Sequence, residues 1–292
     1  MSATSSSALP ASLVESSLIT RTIRTTGEEV PVVGLGTWQV FDVAAGGAEF
    51  AEARATLNAF IAGGGRVVDS SPMYGRSENV IGDLMQDGNA RDKLFVATKV
   101  WTRGRAEGIA QMRDSMKKLK VEKLDLMQVH NLTDTAVHLD TLAGWKKDGL
   151  VRLLGITHYH AGAHRDLEAA LRNHRVDVVQ VNYSLAEMEA DRGLLDLCAG
   201  QGAAVIVNRP FAEGALFGRV RGKPVPEWVK VELGIESWAQ YFLKWIVGHP
   251  AVTVVIPGTR NPKHVIDNLG AARGRLPNAA QRERMVSSFT NL

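Results

Sequence analysis

The sequence predicts one α/β domain built as a (β/α)8 TIM barrel with a β-hairpin at its amino end. Eight short β-rich runs recur along the chain with helix-like stretches between them, and their ends step by about 25 to 34 residues, close to one βα unit each, except across the longer gap from Val207 to Val252. Most of the runs are near-continuously apolar, as strands covered on both faces should be. The length of 292 residues suits one barrel of about 250 residues with extensions.

From the amino end, Met1–Ser17 is rich in Ser and Ala, with no basic start and no sustained apolar run. It reads as a tail ahead of a domain spanning residues 18–292, and the absence of a leader pattern points to the cytoplasm. Ile19–Val33 has two β-prone arms around a Thr-Gly turn, hence the hairpin. The strand candidates follow at Val32–Leu35, Arg66–Asp69, Leu94–Lys99, Leu124–Val129, Val151–Ile156, Val178–Val181, Ala204–Val207 and Val252–Ile256. Helices are expected at Glu49–Ala62, Ser77–Met85, Glu107–Leu119, Thr135–Lys147, Arg165–Leu171, Asp191–Gln201 and Ser237–Val247. Gly63-Gly64-Gly65 reads as a helix stop, and Gly214–Glu232 as an inserted loop.

Composition excludes several classes of function. Lys plus Arg is 34 and Asp plus Glu 31, a net charge of +3 that gives no footprint for nucleic acid. The one cysteine, Cys198, can form neither an internal disulfide nor a cysteine zinc site. No apolar stretch is long enough for a membrane span. Gly34-Leu35-Gly36 lacks the third glycine of a dinucleotide fingerprint, and there is no phosphate-loop lysine motif.

In such a barrel, catalytic groups come from the carboxyl ends of the strands. Three successive strand ends deliver Asp69 and Tyr74, then Lys99, then His130. Asp69 and Lys99 on adjacent strands can neutralise each other. Lys99 is then expected to lower the pKa of Tyr74, with His130 sharing its proton or orienting a substrate oxygen. Such a tyrosine suits protonation of a carbonyl oxygen as a hydride reaches the carbon, and the protein has no hydride of its own, so a nicotinamide cofactor is implied.

The chain resembles the aldo-keto reductases from about Thr25 to Ala272. The resemblance is carried by VGLGTW at Val33–Trp38, VVDSSPMYGRSEN at Val67–Asn79, FVATKVW at Phe95–Trp101 and KLDLMQVHN at Lys123–Asn131. It continues through GITHY at Gly155–Tyr159, VQVNYS at Val179–Ser184 and VVIPGTRNPKHVIDNL at Val254–Leu269. It implies NADPH/NADP+ lying across the carboxyl face of the barrel, reduction of a small-molecule aldehyde or ketone, and Asp69, Tyr74, Lys99 and His130 as catalytic residues with Tyr74 the general acid. By the same resemblance Thr37, Trp38, Asp69, Thr157, His158 and Gln180 lie along the cofactor. Gly258, Thr259, Arg260, Lys263 and His264 match the segment that holds the adenosine phosphate, and Asn268 the residue at the adenine. Basic groups facing a ribose phosphate favour NADPH over NADH.

Two departures stand out. Thr157-His158 replaces the family's usual Ser-Asn, and Asn208-Arg209 stands where an aromatic residue commonly stacks on the nicotinamide. Asn208 cannot stack, while Arg209 is placed to reach the pyrophosphate. Trp38, Phe41, Trp101 and Asn131, near strand ends, are expected to wall the substrate pocket, whereas Trp145, Trp238 and Trp245 read as helix packing. Two rival readings remain open at this stage: a cofactor-sensing regulatory subunit, and a metal-dependent hydrolase built on His158, His160 and His164.

Overall fold

The computed structural model describes residues 17–292, so all but the last residue of the expected tail lies outside the described residues. Strands β1 (Thr20–Ile23) and β2 (Glu28–Pro31) pair antiparallel as the expected hairpin. Eight parallel strands follow: β3 (Leu35–Gly36), β4 (Val67–Asp69), β5 (Phe95–Val100), β6 (Leu124–His130), β7 (Val151–Thr157), β8 (Val178–Asn182), β9 (Ala204–Asn208) and β10 (Val252–Val255). They pair in chain order, and the Val33–Val255 and Gly36–Gly258 bridges join the last strand to the first. Gly36 permits that closure, because a Cβ there would stand 2.8 Å from the Ile256 carbonyl.

The helices are α1 (Ala48–Ala62), α2 (Ser77–Asp87), α3 (Arg105–Leu119), α4 (Thr135–Lys147), α5 (His164–Asn173), α6 (Leu194–Gln201), α7 (Ala215–Arg219), α8 (Glu227–Leu233), α9 (Trp238–Val247), α10 (Pro262–Gly270) and α11 (Ala279–Thr290). Three sequence expectations need correction. The first strand is shorter and later than Val32–Leu35, since Val32 and Val33 contact the last strand only through isolated backbone bonds. The helix expected over Asp191–Gln201 begins at Leu194, because Gly193 at φ 123° breaks it from a 3-10 turn at Glu189–Arg192. The expected loop at 214–232 carries α7 and the start of α8, docked by buried Leu216, Val220, Val225 and Val229. The two helices are short and the link between them carries Pro224 and Pro226, so the apolar positions do not form one periodic run and basic residues stand between them.

Two apolar cores result. The larger lies between barrel and helices; Trp145 and Trp245 belong to it, and Trp238 packs against it. The smaller fills the barrel with Val67, Phe95, Ala97, Leu126, Leu153, Val178, Ala204, Ile206, Val254 and Ile256, joined by Ile23 and Val30 of the hairpin. The hairpin therefore plugs the amino end of the barrel. Arg21 fastens it there, donating to the carbonyls of Val247 (2.8 Å), His249 (2.7 Å), Pro250 (2.9 Å) and Val252.

Side chains alternate across each strand, so residues two apart share the interior. Above the apolar filling, the same interior faces carry Asp69, Lys99, Gln128, Thr157, Gln180 and Asn208. The barrel thus changes from apolar to polar towards its carboxyl end. Among the described residues no helix is long and apolar enough to cross a membrane.

Candidate active site

At the carboxyl end, the last residue of β4 meets the fifth residue of β5. Lys99 Nζ lies 2.5 Å from Asp69 Oδ2 and 2.7 Å from the Ser70 carbonyl, and both side chains are sealed from solvent. The other carboxylate oxygen, Asp69 Oδ1, accepts from Gln128 Nε2 at 3.0 Å and Gln180 Nε2 at 2.9 Å. Tyr74 stands on the turn after β4, tied by its amide to the Ser71 carbonyl, and its ring centroid is 4.8 Å from Lys99 Nζ. His130, at the end of β6, meets the Tyr74 ring edge-on at 6.3 Å. The four predicted residues are therefore brought together.

The electrostatics differ from the sequence expectation at Tyr74. Burial raises its phenol above the ordinary value and outweighs Lys99, which acts in the opposite sense. Burial also pulls Lys99 down, but the charges and hydrogen bonds of Asp69 and Tyr74 together leave it above its ordinary value. The result is a protonated phenol beside a charged ammonium. Burial, then Lys99, then His158 push His130 down to about 3, so its imidazole is neutral at physiological pH. Ser71 Oγ accepts from the Met73 amide and lies 3.3 Å from His130 Nδ1.

The other predicted residues form two groups. Thr37 is buried, with Oγ1 3.0 Å from both the Asp69 carbonyl and Ser70 Oγ. Thr157 Oγ1 and Asn208 Nδ2 each lie 3.3 Å from Gln180 Oε1, and Asn208 Nδ2 also donates to the His158 carbonyl at 3.2 Å. Asn208 Oδ1 and Asn131 Oδ1 are buried acceptors with no partner among the described residues. Arg209, at φ 51°, pairs with Glu213 at 2.7 Å. In the second group, Gly258 bridges to Gly36 and Thr259 Oγ1 accepts from the Asn261 amide. Arg260 contacts Glu49 at 2.6 Å and Glu52 at 3.1 Å on α1. Lys263 and His264 are exposed on the first turn of α10, and Asn268 is buried on the same helix.

Trp38 and Trp101 are exposed at the rim, with Trp101 5.8 Å from the His130 ring. Phe41 does not join them. It is fully buried in the core between barrel and helices and offers no surface to a substrate, which corrects its expected place in the pocket wall. The three histidines of the metal reading do not converge either. His158 and His160 meet edge-on at 4.4 Å, but His164 Nε2 lies 2.9 Å from Asn182 Oδ1. Among the described residues no three His, Cys, Asp or Glu side chains are grouped to hold a metal. Gln128 and Ser71 were missed by the sequence reading. Gln128 had a readable signal, a glutamine two residues before His130 inside an apolar run and therefore on the same face.

Vacant hydrogen-bond capacity at Asn208 and Asn131, a helix amino end carrying Lys263 and His264, and Arg260 beside it suit a ligand with amide and phosphate groups. Known proteins resemble this chain along most of its length. A glyoxal reductase of Bacillus subtilis is 28% identical over 83% of each chain. A methylglyoxal reductase of Escherichia coli is 27% identical over 86% of this chain and 88% of its own. The structure of an aldo/keto reductase from Klebsiella pneumoniae in complex with NADP and acetate superposes with a TM-score of 0.76 at 25% identity, covering 92% of this chain and 96% of that one. The sequence profile of the aldo/keto reductase family matches residues 32–283, a span that holds every barrel strand end described above, and the chain belongs to that family.

Proposed function

We propose that the protein is an NADPH-dependent reductase that converts an aldehyde or ketone to the alcohol, with Tyr74 as general acid. The observation that carries this reading is the phenol of Tyr74 beside the buried Lys99–Asp69 pair, with a neutral His130 alongside. When bound, NADPH supplies a hydride to the carbonyl carbon. Tyr74 Oη gives its proton to the carbonyl oxygen, and Lys99 stabilises the phenolate that remains. Neutral His130, with its proton on Nε2, is assigned to donate to the same oxygen and orient it. Exposed Trp38 and Trp101 flank the approach, and Asn131 lies at the end of the same strand as His130.

The residues proposed to hold the cofactor lie in two places. Thr157, His158, Gln180 and Asn208 surround the nicotinamide end, and the vacant Asn208 Oδ1 takes an amide N–H where an aromatic ring would otherwise stack. Arg260, Lys263, His264 and the α10 amides receive the ribose phosphate, with Asn268 beneath the adenine. Arg209 is assigned to the pyrophosphate. The named activities of the relatives make glyoxal and methylglyoxal the first substrates to try.

The test is a fluorescence titration of the purified protein with NADPH and, in parallel, NADH, followed by turnover of both dicarbonyls. Tight NADPH binding, much weaker NADH binding and alcohol formation are expected. Cofactor binding without turnover of any carbonyl would replace this reading with a regulatory one, and binding of neither cofactor would refute it.

A further inference from the structure

We propose that Gln128 is a positioning residue for the acid. By holding one oxygen of Asp69 it fixes the other on Lys99, and so keeps the last N–H of Lys99 on Tyr74. This rests on the reading of Tyr74 as the proton donor.

The argument is a count of donors. Asp69 Oδ1 accepts from Gln128 Nε2 and Gln180 Nε2, and Gln180 Nε2 also lies 3.2 Å from Gln128 Oε1. Turning either amide over would set an oxygen against a carboxylate oxygen at about the same distance, so the donor orientation is determined. With Oδ1 occupied, the carboxylate cannot rotate away, and Oδ2 faces Lys99. An ammonium has three N–H bonds. Two are spent on Asp69 Oδ2 and the Ser70 carbonyl, leaving one for the phenol 4.8 Å away at its ring centroid.

The backbone provides for this arrangement. Lys99, Gln128 and Gly155 are opposite one another on β5, β6 and β7. A Cβ on Gly155 would come within 3.2 Å of Gln128 Cγ and 2.8 Å of the Val178 carbonyl. The absence of a side chain at Gly155 lets the two glutamines meet across the barrel. Gln180 Oε1 is taken by Thr157 and Asn208, so Gln180 links those two residues to Asp69, and Gln128 meets this group at Gln180 Nε2. Gln128 is thus the residue to change as a test of the acid: it stands one contact away from Thr157 and Asn208, and NADPH affinity measured beside turnover registers any shift of Gln180.

The test compares Gln128→Met, of similar length without the amide, and Gln128→Glu, whose carboxyl donates an O–H to Asp69 only while protonated. In the cofactor-free protein, tyrosine labelled with 13C at Cζ gives signals from four tyrosines, Tyr74 being assigned by its loss in Tyr74→Phe. Gln128→Met is expected to move the Tyr74 signal at pH 7 and leave the other three in place. With methylglyoxal, Gln128→Met should lower kcat about tenfold or more with NADPH affinity kept within about twofold. Gln128→Glu should approach the parent kcat at acid pH and lose it as the new carboxyl ionises, a pH-dependent rescue that a space-filling role does not produce. An unmoved Tyr74 signal in Gln128→Met, or a Gln128→Glu profile parallel to the parent, would overturn the proposal. Retained turnover in Tyr74→Phe would instead overturn the reading on which it rests.

Discussion

Lys99 and Asp69 form an ion pair at 2.5 Å with both side chains almost wholly buried. A pair in that setting responds asymmetrically to mutation, because removing one partner strands the other charge. Lys99→Met should therefore lower stability by about 3 kcal/mol as well as abolish turnover. Lys99→Met combined with Asp69→Leu should recover part of the stability and none of the activity. Denaturant unfolding of the two single variants and the double variant measures the coupling.

On the proposed mechanism, the phenol of Tyr74 is the group that moves the proton. Tyr74→Phe keeps the ring against Lys99 and removes only the hydroxyl. Turnover should fall by at least about 10²-fold, with NADPH affinity changed by less than about twofold. Steady-state kinetics beside a fluorescence titration separates the two effects.

His130 carries a pH signature. Its folded pKa is depressed to about 3 from an ordinary 6.5, chiefly by burial. Below pH 6.5 the unfolded chain takes up a proton that the folded chain refuses, so stability is intact above that value and declines as the pH falls towards 3. By pH 4 the loss assigned to this residue is on the order of 3 kcal/mol. His130→Phe should lose correspondingly less between pH 7 and 4 in urea melts. The reduction rate of the parent should show no limb from His130 between pH 5 and 8.

Arg260 is held by Glu49 and Glu52, and those carboxylates compete with any phosphate for the guanidinium. Arg260→Ala should weaken NADPH binding by about tenfold while NADH binding changes little, since a charge-assisted contact to phosphate is lost. Glu49→Gln with Glu52→Gln should act in the reverse sense on NADPH alone. Parallel titrations with both nucleotides check the two expectations.

The strand ends were legible because their chemistry interrupts an apolar run: Asp69, Lys99 and His130 each close a β-rich segment, and the structure sets all three around Tyr74. What remained hidden depended on burial and on distant contacts. Phe41 sits close in sequence to Trp38, yet the chain turns it inward to zero exposure. The balance at Tyr74 required knowing that desolvation exceeds the field of Lys99, and no spacing in the sequence reports that. The α7–α8 segment was obscured because basic residues stood between its buried apolar positions.

The hairpin and the apolar filling close the amino end of the barrel among the described residues, and the polar groups gather at the carboxyl end. On the proposed reading, a carbonyl compound that enters past Trp38 and Trp101 departs, once reduced, by the same face. Entry and exit then cannot overlap in time, and accumulated alcohol competes with fresh aldehyde for the same threshold. Changes that narrow or widen that threshold should alter product inhibition and substrate choice together, while the sealed floor keeps the frame in which the chemistry is set.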